Sequence, residues 1–216
     1  MIITIDGPAG SGKSSTAKIV AQKKGWHYLD SGSLYRTYAL LFIRYGKQMD
    51  ELIENMSTHS IELDVDGEQV KTLLDGKDVG DSIRTQEVSE QVSMVAAQPE
   101  IREEVNRIMR KIVEKHNFIA DGRDLGSVVF PDAAVKFFMI ADIHERARRR
   151  FDELTQKGLN ASLSDIKKNL QKRDEQDSNR SIAPLIKPLG AIEIDTTGMS
   201  FSEQVSYIIQ EIDKIV

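Results

Sequence analysis

Gly7, Gly12, Lys13 and Ser14 stand in the spacing G-x-x-x-x-G-K-[ST], within the stretch GPAGSGKSS near the start of the chain. Glycines at those positions let the backbone wrap an anion with its N–H groups turned inward, and a following helix adds its partial positive charge. A lysine there reaches the β and γ phosphates of a nucleotide, and the serine hydroxyl is a ligand for Mg²⁺. The flanks suit the motif: IITID reads as a buried strand before it and SSTAKIVAQKK as a helix after it. The expected function of Gly7, Pro8, Ala9, Gly10, Ser11, Gly12, Lys13, Ser14 and Ser15 is therefore to hold ATP or GTP, with Ser14 on the metal. The bland alternative is an ordinary glycine-rich turn.

Such a loop does not separate a switch GTPase, a motor ATPase and a small-molecule kinase. The arginines bear on that choice, because two phosphates approach for in-line transfer only when their repulsion is neutralised, and planar guanidinium forks suit that task. Candidates are Arg36 in DSGSLYR, Arg102 in QPEIR, Arg123 in DGRD, and Arg173 and Arg180 in RDEQDSNR. Arg173, Asp177 and Arg180 are spaced i, i+4, i+7, which shares one helix face if the helix runs that far. A solvated helix with internal ion pairs has the same pattern. Arg146, Arg149 and Arg150 in ERARRR form a second basic face, for ATP phosphates or for water. Asp121 is either a Walker-B-like support of the Mg²⁺ shell or a strand-end cap, and Asp6 and Asp30 occupy equivalent strand ends.

The elements that must position these residues follow from periodicity. IITID, HYLD, FIAD, VKFFMI and IEID are short apolar strand candidates, four of them ending in Asp (Asp6, Asp30, Asp121, Asp195). Helical patterns lie between them. Ile101, Val105, Ile108, Met109, Ile112 and Val113 follow Pro99, and Val205, Ile208, Ile209, Ile212 and Val216 close the chain. Strands separated by crossover helices predict an α/β fold, a parallel five-stranded sheet covered on both faces with ligands at the carboxyl ends of its strands. From Ile61 to Val79 the alternation breaks. Asp66-Gly67 and Asp75-Gly76 are spaced for a three-stranded antiparallel meander. From Ile143 to Asn179 two charged helical stretches flank KGLNAS, with Ser162 to Asp165 resembling a capping box. One domain over residues 1–216 is expected, with a β insert over about 61–86 and a helical lid over about 143–180.

Bulk composition limits the partners. With 29 Lys+Arg against 34 Asp+Glu the net charge is −5, which gives no long-range attraction for nucleic acid or anionic lipid. The absence of cysteine excludes disulfides, zinc-thiolate sites and thiol nucleophiles. No signal peptide or membrane-length apolar run is seen, so a cytoplasmic protein is expected, and nothing demands more than a monomer. His27, His59, His116 and His144 are scattered without ligand spacing. Trp26 and the methionines read as core, and Tyr35 as either a core or a substrate contact.

Together IDGPAGSGKSS, LDSGSLYR, IRTQEVSEQVSMVAAQPEIR, IADGRDLGSVVFPDA, RDEQDSNR and DTTG resemble the bacterial cytidylate kinases over essentially the whole chain. The resemblance implies a P-loop NTPase-type kinase core, a CMP-binding insert and a short lid, with ATP, Mg²⁺ and CMP or dCMP as reactants. It places the CMP phosphate among Ser31, Arg36, Arg123 and Arg180, the ribose against Arg173 and Asp177, and cytosine against Ser93, Arg102 and Asp124. Lys13, Arg36, Arg123, Arg173 and Arg180 become the catalytic cations. Cytosine presents N4 as donor and N3 and O2 as acceptors, so a carboxylate with Ser and Arg donors fits it and mismatches uracil. A kinase for UMP, AMP or shikimate would share the phosphate loop. A nucleotide-dependent switch would too, although the chain has no Asn-Lys-x-Asp guanine motif downstream.

Overall fold

The structure, a computed structural model, describes residues 1–66, 69–156, 158 and 160–215. Gly67 of the first expected Asp-Gly turn, Lys157 and Leu159 of the KGLNAS connection, and Val216 lie outside the described residues.

Five parallel strands form the main sheet in the order β2-β6-β1-β7-β8: β1 (Ile2–Asp6), β2 (His27–Asp30), β6 (Phe118–Gly122), β7 (Val135–Ile140) and β8 (Ile192–Asp195). The register pairs Ile5 with Asp121 and Phe137, so the carboxyl ends of β1, β6 and β7 come level at one edge. That edge is where β1 delivers the phosphate loop and β6 delivers the DGRD stretch. Period-two alternation sends side chains of β6 to opposite faces. Phe118 and Ala120 join one core and Ile119 the other.

One face is covered by α1 (Lys13–Lys24) and α8 (Phe201–Asp213), through Ala17, Val20, Val205, Ile208 and Ile212 packed on Ile3, Ile5, Phe137 and Met139. The other carries α2 (Ser31–Arg44), α4 (Gln86–Val95) and α5 (Pro99–Val113), with Leu34, Tyr38, Leu41, Val88, Ile101, Val105 and Met109 buried. Helix α5 shows the logic of its sequence: Pro99 sits in its first turn, and Ile101, Val105, Ile108 and Met109 are buried while Glu103, Arg107 and Arg110 are exposed. Arg102 breaks that pattern by being buried in the first turn.

The antiparallel sheet β3-β4-β5 (Ile61–Asp66, Gln69–Leu74, Lys77–Asp78) follows the short helix α3 (Met49–Asn55). Asp75 and Gly76, at φ 52° and 74°, make the tight turn between β4 and β5, both in the left-handed region that a primed hairpin turn demands. The hydroxyls of Ser33 and Thr72 lie 2.8 Å apart and fasten this sheet to the first turn of α2.

Helices α6 (Ile143–Gln156) and α7 (Leu163–Asn179) pack on each other through Ile143, Ala147, Phe151, Ile166 and Leu170, with Ala9 of the phosphate loop in the same cluster. The capping box expected at Ser162 is not formed. Ser162 is the N-cap by position, but its hydroxyl lies 2.7 Å from that of Ser164 and caps no N–H. A capping box stands instead at Ser200 and Glu203, opening α8. Helix α7 stops at Asn179, and Arg180 follows with extended backbone (φ −64°, ψ 140°). The expected shared face therefore holds Arg173 and Asp177 but not Arg180. No helix among the described residues is long and apolar enough to cross a membrane.

Candidate active site

Two glycines fix the path of the phosphate loop. A Cβ on Gly7 would stand 2.1 Å from the Met139 carbonyl oxygen, so only glycine lets β1 leave the sheet against β7. Gly12, at φ 95°, is the N-cap of α1, and the first-turn N–H groups beyond it have no acceptor within the helix. Turning N–H groups inward turns carbonyls outward, and those carbonyls need donors. Arg146 Nη1 donates to Ala9 O at 2.9 Å, and Arg149 Nη1 to Ser11 O at 3.3 Å. Thr196 Oγ1 also donates toward Ser11 O at 3.1 Å, which ties the DTTG stretch to the back of the loop. Arg146 and Arg149 thus grip main chain, while Arg150 pairs with Glu153 at 2.6 Å near solvent.

Lys13 is 5% exposed and donates to Pro8 O at 3.1 Å. Burial, and then the neighbouring Arg123 guanidinium, pull its ammonium down to about 7, with Asp121 opposing. Ser14 Oγ donates to Asp121 Oδ2 at 2.6 Å, and Tyr28 OH donates to Asp121 Oδ1 at the same distance. Burial raises the Asp121 carboxyl, and Asp30 adds to the effect. Asp30 itself caps α2 through Ser33 N–H and pairs with Arg84, and Asp6 takes two backbone N–H groups, so the three strand-end carboxylates have three different settings. Ser15 is exposed on α1.

Beyond the loop, cations from distant parts of the chain crowd one another. Arg173 is pushed down to about 10 by burial and then by Arg123, with Asp177 opposing, and its Nε is a buried donor with no acceptor among the described residues. Arg36 is lowered by burial, with Arg84, Arg150 and Arg123 adding to it, while its Nη1 donates to Ser89 Oγ at 2.8 Å. Arg123 Nε donates to Asp177 Oδ2 at 2.7 Å. Guanidinium groups that lower one another beside a buried lysine make a site poised for a polyanion.

The remaining residues form a second group. Asp124 is 3% exposed and accepts from Arg102 Nη2 on one oxygen and from Arg180 Nη2, at 3.1 Å, on the other. Arg102, itself buried, also donates to Ala96 O at 3.1 Å and lies 5.5 Å from the centre of the Tyr35 ring. The Tyr35 hydroxyl is buried without a partner among the described residues, and burial raises its pKa. Ser93 is half-buried on α4. Ser31 donates its hydroxyl to the Asp121 carbonyl at 2.6 Å, at the start of α2. Of the sequence candidates, Lys13, Arg36, Arg123 and Arg173 therefore stand together with Asp177, whereas Arg180 stands with Arg102 and Asp124.

Three contributors escaped the sequence: Tyr28 on Asp121, Asp174, which pairs with Arg146 at 2.6 Å, and the two N–H bonds to Asp6. Only Asp6 had a signal, as a carboxylate at a strand end touching the loop.

The description "Cytidylate kinase" belongs to the family model that matches residues 3–214. A cytidylate kinase of Marinomonas sp. (strain MWYL1) is 41% identical over 218 residues, spanning 99% of this chain and 96% of that protein. One from Bacillus licheniformis is 42% identical over 219 residues, spanning 99% and 96%. Among solved structures, an uncharacterized protein from Eubacterium ventriosum superposes with a TM-score of 0.53 at 15% identity over 99% of this chain and 98% of that one, which speaks for the fold alone. A match running through the phosphate loop, the arginine cluster and the Arg102–Asp124 pair at this identity leaves one assignment: the chain belongs to the cytidylate kinase family.

Proposed function

We propose that the chain transfers the γ-phosphoryl group of ATP to CMP or dCMP, giving ADP and CDP or dCDP. The observation that carries this reading is the buried Asp124 paired with Arg102, next to an arginine cluster that faces Lys13. Main-chain N–H groups of Gly10 to Ser15 and the Lys13 ammonium hold the triphosphate. Arg36 and Arg123, with Ser31, receive the acceptor phosphate, Arg173 and Asp177 the ribose, and Ser93, Arg102 and Asp124 the cytosine. Arg180, now on Asp124, reaches the phosphate as the lid over 143–180 closes on the insert side.

The acceptor oxygen is already ionised near neutral pH, so no general base is needed. That oxygen bonds to the γ-phosphorus as the bond to the ADP oxygen breaks, and the arginines and Lys13 stabilise the charge spread over the transferring group. Closure keeps out water that would otherwise hydrolyse ATP. Ser14 and Asp121 offer the sparse hydroxyl and carboxylate oxygens with which Mg²⁺ is held alongside nucleotide phosphates. Bound there, Mg²⁺ supplies charge neutralisation on the phosphates. A single-domain monomer in the cytoplasm, using Mg²⁺ and no nucleic acid or membrane partner, completes the reading.

Uracil would set a carbonyl oxygen against Asp124, leaving polar groups unpaired at a cost of about 1–3 kcal/mol. The test is a product assay with ATP, Mg²⁺ and each monophosphate in turn. CDP from CMP, well above the UDP formed from UMP, is the expected result. ATP hydrolysis without CDP formation overturns it in favour of a nucleotide-dependent switch.

A further inference from the structure

Asp6 ends the central strand directly before the phosphate loop and is 0% exposed. Its Oδ1 accepts the Leu125 N–H at 2.9 Å and its Oδ2 the Gly126 N–H at 2.7 Å. Among the bonds of the described residues, its two partners are both backbone N–H groups. Of the charged groups that face it, Asp124 disfavours its ionisation and Lys13 is the weakest influence in its favour, and burial pushes the carboxyl up to about 6. A carboxylate in that setting is costly, and two charge-assisted N–H bonds are its compensation. The donors are the two residues immediately after Arg123 and Asp124.

The neighbouring backbone has little freedom to adjust. A Cβ on Gly122 would meet the Leu125 side chain at 2.6 Å, and one on Gly126 would meet Thr4 Oγ1 at 2.9 Å. From Asp124 the chain turns at once into a single wide helical turn, with Phe130 N–H on Leu125 O at 2.7 Å. The Asp6 carboxylate thus holds the segment at the point where the Arg123 and Asp124 side chains depart, one for a phosphate and one for a base.

We propose that Asp6 is a positioning residue that sets Arg123 and Asp124 against the phosphate loop, so that acceptor placement is referenced to the strand that places the donor. This rests on the cytidylate kinase reading of the site. Asp6→Asn is the informative change, since an amide has one acceptor oxygen and turns its own NH₂ on the second backbone N–H. Displacing reacting groups by a fraction of an ångström is expected to cost about tenfold or more in kcat/KM for CMP, carried by KM for CMP, and to narrow the CMP over UMP preference. KM for ATP stays within about twofold, because the N–H groups that hold the triphosphate keep their places and the Asp6–Lys13 influence is the weakest of those on Asp6. A folded Asp6→Asn enzyme with unchanged KM for CMP and unchanged preference, or with the two KM values raised equally, overturns the proposal.

Amide hydrogen exchange on the wild-type chain decides the matter independently of whether the variant folds. The Leu125 and Gly126 amides are expected to be protected without nucleotide, and rapid exchange at both overturns the proposal. If wild-type enzyme makes no CDP, the kinase reading fails while the exchange result still judges Asp6.

Discussion

Ser14 Oγ donates to Asp121 Oδ2 at 2.6 Å, joining the first turn of α1 to the end of β6 across 107 residues of sequence. Parallel pairing of β1 with β6 brings them together, since Ile5 is level with Asp121 and the loop begins two residues later, at Gly7. The pair holds two hard oxygens where the motif expects Mg²⁺, and Tyr28 fixes the carboxylate from the other side. Asp121→Asn is expected to raise the free Mg²⁺ needed for half-maximal rate by about 10–100-fold, with KM for CMP nearly unchanged. Tyr28→Phe, which removes only the second hydrogen bond, shifts the same curve less. Rates measured against Mg²⁺ at fixed ATP check both.

Lys13 supplies a proton-linked prediction. Its free-enzyme pKa is depressed from 10.5 to about 7 by burial and by Arg123. A triphosphate beside it favours the charged form, so ATP binding at pH 8 takes up a proton. Calorimetry in buffers of different ionisation enthalpy measures that uptake, and Lys13→Arg, charged throughout, abolishes it. The same depression costs stability. Wherever the unfolded chain binds more protons than the native one, stability rises with pH, here from about 7 to about 10.5. Lys13→Met is therefore expected to be inactive yet more stable than wild type without nucleotide. Its advantage is largest below pH 7 and shrinks as the pH climbs toward 10.5.

Residues with purely local signals were legible in the sequence. The loop spacing placed Gly7 to Ser15, short apolar runs placed the five strands, and Asp75-Gly76 announced its turn because only a left-handed pair closes it. The gaps arise where tertiary partners decide. ERARRR reads as a basic face for ATP phosphates or for water, but outward-turned carbonyls at Ala9 and Ser11 recruit Arg146 and Arg149. The charged helical stretch is read to Asn179, where α7 does end, but nothing local in DSNRS says that Arg180 then turns to Asp124. Ser-x-x-Asp at Ser162 and Ser-x-x-Glu at Ser200 look alike, yet only Ser200 turns its hydroxyl onto the third N–H; Ser162 spends its own on Ser164.

On the proposed reading Asp124 serves both base specificity and structure, and two substitutions separate them. Asp124→Ala leaves the buried Arg102 without its carboxylate and is expected to destabilise the fold by about 3–5 kcal/mol, read by denaturant unfolding. Asp124→Asn keeps an acceptor for Arg102, and turns an NH₂ to the side that Arg180 holds in the free enzyme and that the base meets once Arg180 has left. Its fold should lose less, while the ratio of kcat/KM for CMP over UMP falls by about 10–100-fold. A ratio left at the wild-type value would remove Asp124 from base recognition.

Arg146 and Arg149 touch the same loop but differ in reach. Arg146, buried on α6, binds Ala141 O at 3.0 Å, Ala9 O at 2.9 Å and Asp174 at 2.6 Å, and Asp174 adjoins Arg173 on α7. Arg149 binds Ser11 O and, on both its hydroxyl and carbonyl, Thr196, all behind the loop. Lysine keeps the charge in either place but cannot span separate acceptors with a fork. Arg146→Lys is therefore expected to raise KM for ATP and for CMP together, because the loop and the helix carrying Arg173 and Asp177 lose a common tie. Arg149→Lys raises KM for ATP alone. Adding Asp174→Asn to Arg146→Lys costs less than the sum of the single changes, by about 0.5–3 kcal/mol in kcat/KM, as befits residues in one network. Strict additivity, or an Arg149→Lys enzyme that loses CMP affinity as much as ATP affinity, would mean that α6 braces the loop without linking it to the acceptor.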